Sequence, residues 1–375
     1  MVDDETWARY EAAGLYDPAA DGAAERRELL EFFAARDVGV EQVRHSADEG
    51  RIAAAAADAL LAPGPSSISI RDVATRLGTD IEAVARVWRA SGFAPVDVDC
   101  KFLRPSDAEV FAVFLSGEEL LGAEATLELT RVLGGALARI AESAIALFLR
   151  QVEAPFEDTH PTERQQAEAT ESSVQTVLSL QPVIDGLFRH HLREAILRFR
   201  IAETDKRTGT AHLAIGFVDL VGFTPISAAL DAPELSALIA DFEARSQDAV
   251  TQFGGRLVKL IGDEIMYVAL DARSAVEIAL TLVREFDTVE NVTPRGGVAS
   301  GDVLVRSGDY YGSVVNLASR VADLAIPDEI LTTDAVRIEA ESLAVPAAFV
   351  PAGRRVLKGF VEPVQLFSAQ EEHRA

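Results

Sequence analysis

Two aspartates, a lysine and an Asn/Arg pair are the side chains in this sequence best placed for chemistry. Asp219 ends an alternating apolar segment, Phe217-Val218-Asp219-Leu220-Val221-Gly222-Phe223-Thr224. A carboxylate where a strand gives way to a glycine turn and a helix start can hold Mg2+ against a phosphate, because the first helical N–H groups also favour that anion. Alone, Asp219 would serve as well as a helix cap. Lys259 lies in an otherwise apolar strand, between Leu257 and Ile261 at period two, and an ammonium on that face needs a partner or a ligand. Asp263 follows in the turn Gly262-Asp263-Glu264. A turn is an ordinary place for Asp. Two acids at neighbouring strand ends, however, can form a two-metal site, where one ion activates an attacking oxygen and the other steadies a leaving phosphate. Asn316 and Arg320 are four apart and share one face of a predicted helix. An amide and a guanidinium together can position a ribose and neutralise a developing phosphoryl charge.

The elements that carry these residues read as an α/β sandwich. His212–Asp219 alternates at period two, and Asp231 with Glu234 opens a helix that closes at Gly254-Gly255. Arg256–Ile261 and Ile265–Leu270 form a hairpin. A helix over Arg273–Phe286 follows. Strands are predicted at Arg295–Val298, Val303–Arg306, Ile330–Thr333 and Val364–Phe367, with a helix at Val315–Leu324. Strands alternating with helices around a tight hairpin give the ferredoxin-like βαββαβ arrangement.

Taken together, the motifs F-x-D-x-x-G-F-T, K-x-x-G-D and D-x-x-G-x-x-V-N-x-A-x-R, the last from Asp309 to Arg320, stand intact and in order. Over about Ala211 to Phe367 the chain resembles the catalytic domain of class III nucleotide cyclases. The resemblance implies that Asp219, the Leu220 position and Asp263 bind two Mg2+ or Mn2+ ions per site. It assigns Lys259 and Asp309 to adenine, Asn316 to the ribose and Arg320 to the transition state. Phe223, Thr224 and Arg295 fall on substrate-binding positions, and Lys358 in Leu357-Lys358-Gly359-Phe360 is a further phosphate candidate. Ala299 stands where such enzymes often carry histidine. The implied reaction is attack of the ATP ribose 3′-oxygen on the α-phosphate, giving cyclic AMP and pyrophosphate. In such enzymes the metal aspartates of one chain face the adenine and Asn/Arg residues of another, so the implied enzyme is a homodimer. Adenine offers a ring-nitrogen acceptor and an amino donor, matching a lysine and an aspartate. Guanylyl relatives usually carry Glu and Cys or a similar pair there, so ATP is expected over GTP.

Upstream, the first ~150 residues read as all-helical, with periodic stretches at Ala24–Arg36, Arg51–Leu61, Ile70–Ala90 and Ala123–Arg150. The polar stretch His160–Ser173 reads as a linker, and Asp185–Glu203 as a helix with an apolar stripe and the pair His190-His191. The expected organisation is α+β: an all-α regulatory domain over 1–159, a linker and connecting helix over 160–206, and the cyclase domain over 207–375. The layout resembles soluble actinobacterial adenylyl cyclases, whose N-terminal domain inhibits the catalytic dimer and releases it in acid. His190 and His191 are the expected regulatory residues, because imidazole titrates near neutrality. The apolar N-terminal helices are also a candidate place for a small-molecule or lipid ligand. Ser69–Val87 resembles a helix-turn-helix, yet its second helix shows Asp80, Glu82, Arg86 and Arg89, a poor face for reading DNA.

Composition sets the outer bounds. The 375 residues are 49% apolar and 25% charged, with a net charge of −25, which opposes a broad nucleic-acid or anionic-membrane surface. The single cysteine, Cys100, excludes an intramolecular disulfide. No secretory signal is read at the N-terminus. Val132–Leu149, interrupted by Arg139 and Glu142, is taken as a buried helix rather than a membrane span. A cytoplasmic enzyme is therefore expected. The alternatives are a DNA-binding regulator or a catalytically silent nucleotide sensor. A diguanylate-type cyclase would carry Gly-Gly-acidic at the hairpin, where this chain reads Ile261-Gly262-Asp263-Glu264.

Overall fold

The computed structural model describes residues 2–62, 67–156, 159, 161–202, 205, 207–286 and 292–371, with only the backbone of Thr224. The chain divides into two compact units, Met1–Arg189 and His190–Ala375.

The first unit is helical: α1 (Asp4–Ala12), α2 (Ala23–Ala34), α3 (Val40–Asp48), α4 (Ala55–Leu61), α5 (Ile70–Leu77), α6 (Ile81–Ala90), α7 (Asp107–Leu121), α8 (Ala123–Phe148), α9 (Glu163–Leu178) and the start of α10 (Gln181–Ile201). It has two cores. Tyr10, Leu29, Leu30, Phe33, Val43 and Ala167 fill one, and Ile70, Val73, Val84, Val87, Phe111 and Leu127 the other. The helix-turn-helix pattern forms as a packed pair. A Ser69/Asp72 capping box opens α5 and Gly78, at φ 66°, ends it. Arg89 on α6 is paired with Glu82 of the same helix, which removes a cation from the face that DNA would meet.

Two expectations are corrected here. The polar stretch read as a linker is mostly α9; residue 160 lies outside the described residues. Glu and Gln are strong helix formers, and the face that buries carries Ala167 and, one turn on, Glu171, which polarity averages hide. Arg26–Glu163 and Arg36–Glu171, each at 2.7 Å, tie α9 to α2 and its C-terminal end. Second, α8 is not buried. Of its residues only Thr126, Leu127 and Thr130 are covered within the chain, while Leu129, Leu133, Leu137, Ile140 and Ile145 are exposed. By length and composition, the helical run Ala123–Phe156 suffices to cross a membrane, since Arg139 and Glu142 are outweighed by the Leu, Ile and Ala around them.

The second unit continues from His190 in α10 through β1 (Thr210–Val221), α11 (Phe223–Ala229), α12 (Ala232–Gln252), β2 (Arg256–Ile261), β3 (Glu264–Ala269), α13 (Ala272–Phe286), β4 (Thr293–Arg306), β5 (Asp309–Tyr311), α14 (Ser313–Ala322), β6 (Ile330–Thr333), α15 (Asp334–Ser342), β7 (Ala347–Arg355) and β8 (Val364–Glu371). The sheet runs β2-β3-β1-β4-β6-β8-β7, with β5 on β4. The two strands expected at Arg295–Val298 and Val303–Arg306 are one. Ala299, Ser300, Gly301 and Asp302 stay in register with Ile215, Ala214, Leu213 and His212, so small and polar residues masked a continuous strand. β7 was not anticipated; Pro351 and Gly353 flank a register shift within it.

Side chains of β1 alternate between two cores. Ala214, Val218 and Leu220 join Phe242, Leu282 and Phe286 on one side. Leu213, Ile215 and Phe217 join Ala318 and Ala322 of α14 on the other. Gly297 lets α14 press on β4. A methyl there would stand 2.2 Å from Ala322 N and 2.7 Å from Ala318 O, and overpacking of that kind costs roughly 1–3 kcal/mol. The helix that carries Asn316 and Arg320 is thus set by backbone contact.

Candidate active site

Asp219 lies near the C-terminal end of β1, paired across the sheet with Glu264 of β3 and Arg295 of β4. Arg295 grips one oxygen of its carboxylate, with Nη2 at 2.9 Å and Nε at 3.1 Å from Oδ2. Asp263 occupies the β2–β3 turn beside Gly262, whose φ of 66° is left-handed. The turn is tied to β1, because Leu220 N–H donates to the Asp263 carbonyl at 3.2 Å. The two aspartates therefore lie together. Burial, then the Asp219 charge, raises the Asp263 carboxyl above its ordinary value, with Arg295 opposing. Glu264, which the motifs pass over, belongs to the same group. Burial raises its carboxyl too, and the charges of Asp219, Asp323 and Asp263 add to that. Its cross-strand register with Asp219 is the signal that would have found it.

Lys259 and Asp309 form a second group. Lys259 Nζ donates to Asp309 Oδ2 at 2.7 Å, and Tyr310 N–H donates to Oδ1 at 2.9 Å. Burial pushes the Asp309 carboxyl up, but the Lys259 bond, the Tyr310 N–H and the charges of Lys259 and Arg256 together hold it below its ordinary value. Arg256 braces the turn from behind, donating to Gly308 O at 3.0 Å and to Tyr310 Oη at 3.4 Å. Asn316 and Arg320 are exposed on α14. Arg320 Nη1 is 2.9 Å from Asp323 Oδ2, and the Asn316 side chain makes no hydrogen bond among the described residues. No hydrogen bond or ion pair among the described residues joins the aspartate group to the Lys259–Asp309 pair.

Residues 9–196 match the family described as adenylate cyclase regulatory domain, and residues 206–361 match the adenylate and guanylate cyclase catalytic domain. A protein of Mycobacterium tuberculosis (strain H37Rv) is 32% identical over all of this chain and 97% of its own length. The chain belongs to the class III adenylyl cyclases. A relative described as a pH-sensitive adenylate cyclase, from M. tuberculosis (strain CDC 1551), is 31% identical over 94% of this chain and 90% of its own. An adenylate cyclase of Streptomyces coelicolor is 37% identical over 69% of this chain and 68% of its own.

The remaining candidate residues of the cyclase are placed as follows. The Phe223 ring is buried beside Phe242, 6.2 Å between centroids. The Thr224 side chain lies outside the described residues. Leu220 is buried, so only its carbonyl has a ligand atom to offer. Lys358 is exposed next to Leu357, which packs with Val321 and Ala325 at the end of α14. His190 and His191 are exposed on α10. His191 borders a cavity of about 520 Å³ that Arg198, Phe199, Arg256 and Tyr310 also line.

A divalent ion suits the aspartate group. Two adjacent carboxylates with hard oxygen atoms fit Mg2+ or Mn2+, and Asp219 keeps Oδ1 outside its bonds to Arg295. Among the described residues no cluster of three or more His, Cys, Asp or Glu is arranged to hold a metal. Phosphate oxygens would have to complete the shell, as Mg2+ sites at nucleotides ordinarily require.

Proposed function

We propose that this cyclase converts ATP to 3′,5′-cyclic AMP and pyrophosphate at a site completed by a second copy of the chain. The observation that carries the choice of base is the Lys259–Asp309 contact at 2.7 Å. It holds an ammonium donor beside a carboxylate acceptor; adenine carries its acceptor on the ring and its donor on the exocyclic group, whereas guanine exchanges the two positions, so a pair aligned for adenine meets guanine with donor facing donor and acceptor facing acceptor. Asp219 and Asp263 would hold the divalent ions, which when bound lower the energy of the attacking oxyanion and the departing pyrophosphate. Asn316 fixes the ribose so that O3′ lies in line with the α-phosphorus. The 3′-hydroxyl proton passes to solvent, and the O3′–P bond forms as the bond from phosphorus to the bridging oxygen of pyrophosphate breaks. Arg320 leaves Asp323 to neutralise the charge that builds on the phosphoryl oxygens. The family resemblance, in which the metal aspartates of one chain face the adenine and Asn/Arg residues of another, supports a site split between two chains.

The full chain with Mn2+ or Mg2+ is expected to form cyclic AMP from ATP and to leave GTP largely unused. Product analysis by chromatography decides this, and no cyclic nucleotide from ATP would defeat the proposal.

Regulation by the first unit, through pH, is part of the same reading. His191 borders the same cavity as Arg198, Arg256 and Arg306, and among the described residues no carboxylate lines it. An imidazolium there would add positive charge beside guanidinium groups and so oppose their close approach. The double substitution His190→Ala with His191→Ala is expected to shift the pH–activity profile of the full chain. An unchanged profile would rule out these histidines as the sensor.

A further inference from the structure

We propose that Arg295 occupies Asp219 in place of the metal ion when no nucleotide is bound, so that metal and nucleotide enter with strong mutual coupling. This rests on the cyclase reading above. The Arg295 guanidinium binds one Asp219 oxygen through two nitrogens, at 2.9 and 3.1 Å. Its Nη1 reaches the carbonyls of Ala325 at 3.3 Å and Asp323 at 3.5 Å. Only 28% of the arginine side chain and 24% of the aspartate side chain are exposed, so this is not a solvated surface pair of negligible strength.

The contact is not needed to align the strands. β1 and β4 are already paired by backbone from Thr210↔Leu304 to Val221↔Thr293. What the guanidinium does is set a positive charge on the carboxylate that a cation must reach. A metal ion arriving alone meets an Asp219 oxygen already engaged and has to displace Arg295, which is then left half-buried without its anion. A triphosphate arriving alone meets an arginine already committed. Arriving together, the metal takes Asp219 and the phosphates take the freed guanidinium fork, whose planar geometry suits them. Linkage requires the coupling to be reciprocal: whatever nucleotide does for metal affinity, metal does for nucleotide affinity.

The test uses the full chain and measures binding, not turnover. Manganese alone is titrated against the nucleotide-free protein by the loss of free Mn2+ electron-paramagnetic resonance signal. Arg295→Gln is expected to bind Mn2+ about 5- to 10-fold tighter than wild type, the size of an ordinary coupling. Equal or weaker binding by the variant would overturn the proposal. Nucleotide alone is then titrated in EDTA with a fluorescent ATP analogue. Asp219→Asn frees Arg295 and is expected to gain about 5- to 10-fold in affinity. Asp263→Asn removes the same charge but no bond to Arg295, and is expected to gain clearly less. Equal gains in the two variants would mean that site charge alone matters, and would also overturn the exchange. Failure of the wild type to bind Mn2+ even with ATP analogue present would instead remove the metal site itself, and the exchange with it.

Discussion

Asp263→Asn and Arg320→Ala are each expected to abolish cyclic AMP formation, and an equimolar mixture of the two inactive proteins is expected to recover about a quarter of wild-type activity. Either change alone should cost about a thousandfold in kcat, the scale on which enzymes lose rate when a group that stabilises transition-state charge is removed. The recovery follows from two-fold symmetry. If subunits exchange freely, half of the dimers are mixed. In each mixed dimer one site carries both defects and the other carries neither. Half of the dimers with one of two sites intact gives the quarter. A site built within one chain would gain nothing on mixing, because each chain would keep its own defect. Cyclic AMP measured before and after co-incubation separates the two outcomes, and size-exclusion chromatography at the same concentrations confirms that the variants still associate.

The second large effect concerns the base. Replacing Lys259 with Glu and Asp309 with Cys is expected to lower kcat/KM for ATP by roughly 100- to 10,000-fold while GTP turnover rises. Two charge-assisted hydrogen bonds are lost, each worth about 1.5–3 kcal/mol. A site built to pair with polar groups also discriminates steeply against a base that leaves them unpaired. The two residues touch each other, so the single variants should not add up to the double. Lys259→Glu alone faces Asp309 with a second carboxylate and should be the worst of the three. Competition of ATP and GTP in one reaction reads the ratio directly. An unchanged ratio in the double variant would place base recognition elsewhere.

The chemistry was legible where a charged residue broke a local pattern. Lys259 interrupts an apolar strand, Asp219 ends one, and Asn316 with Arg320 keeps helical spacing. Each departs from what packing alone would choose, and the structure puts Asp219 beside Asp263 and Lys259 against Asp309. Partners set by strand register were not legible. That Arg295 holds Asp219, and that Glu264 stands opposite it, depends on how β1, β3 and β4 align, which no single segment states. The helical unit misled for a different reason. Hydropathy counts apolar residues without saying what covers them, so α8 looked like core although most of its apolar side chains face outward. Conversely, α9 looked like a tether because the residues it buries are an alanine and a glutamate, Ala167 and Glu171.

Because β1 alternates between two cores, Asp219 owes its position to a count of residues. It follows Phe217 by two, so it opens toward α14 rather than into the packing of Phe242 and Phe286. Loss or gain of one residue in the strand would exchange every side chain between the faces. The carboxylate would enter the wrong core, and Val218 (on a gain) or Leu220 (on a loss) would take its place. A change of two residues restores the faces but moves the carboxylate by about 7 Å along the strand, away from the turn that carries Asp263. Substitutions in β1 can therefore be graded in their effects, whereas insertions and deletions are all-or-none. Over these twelve residues the strand admits changes of side chain in degrees but no change of length.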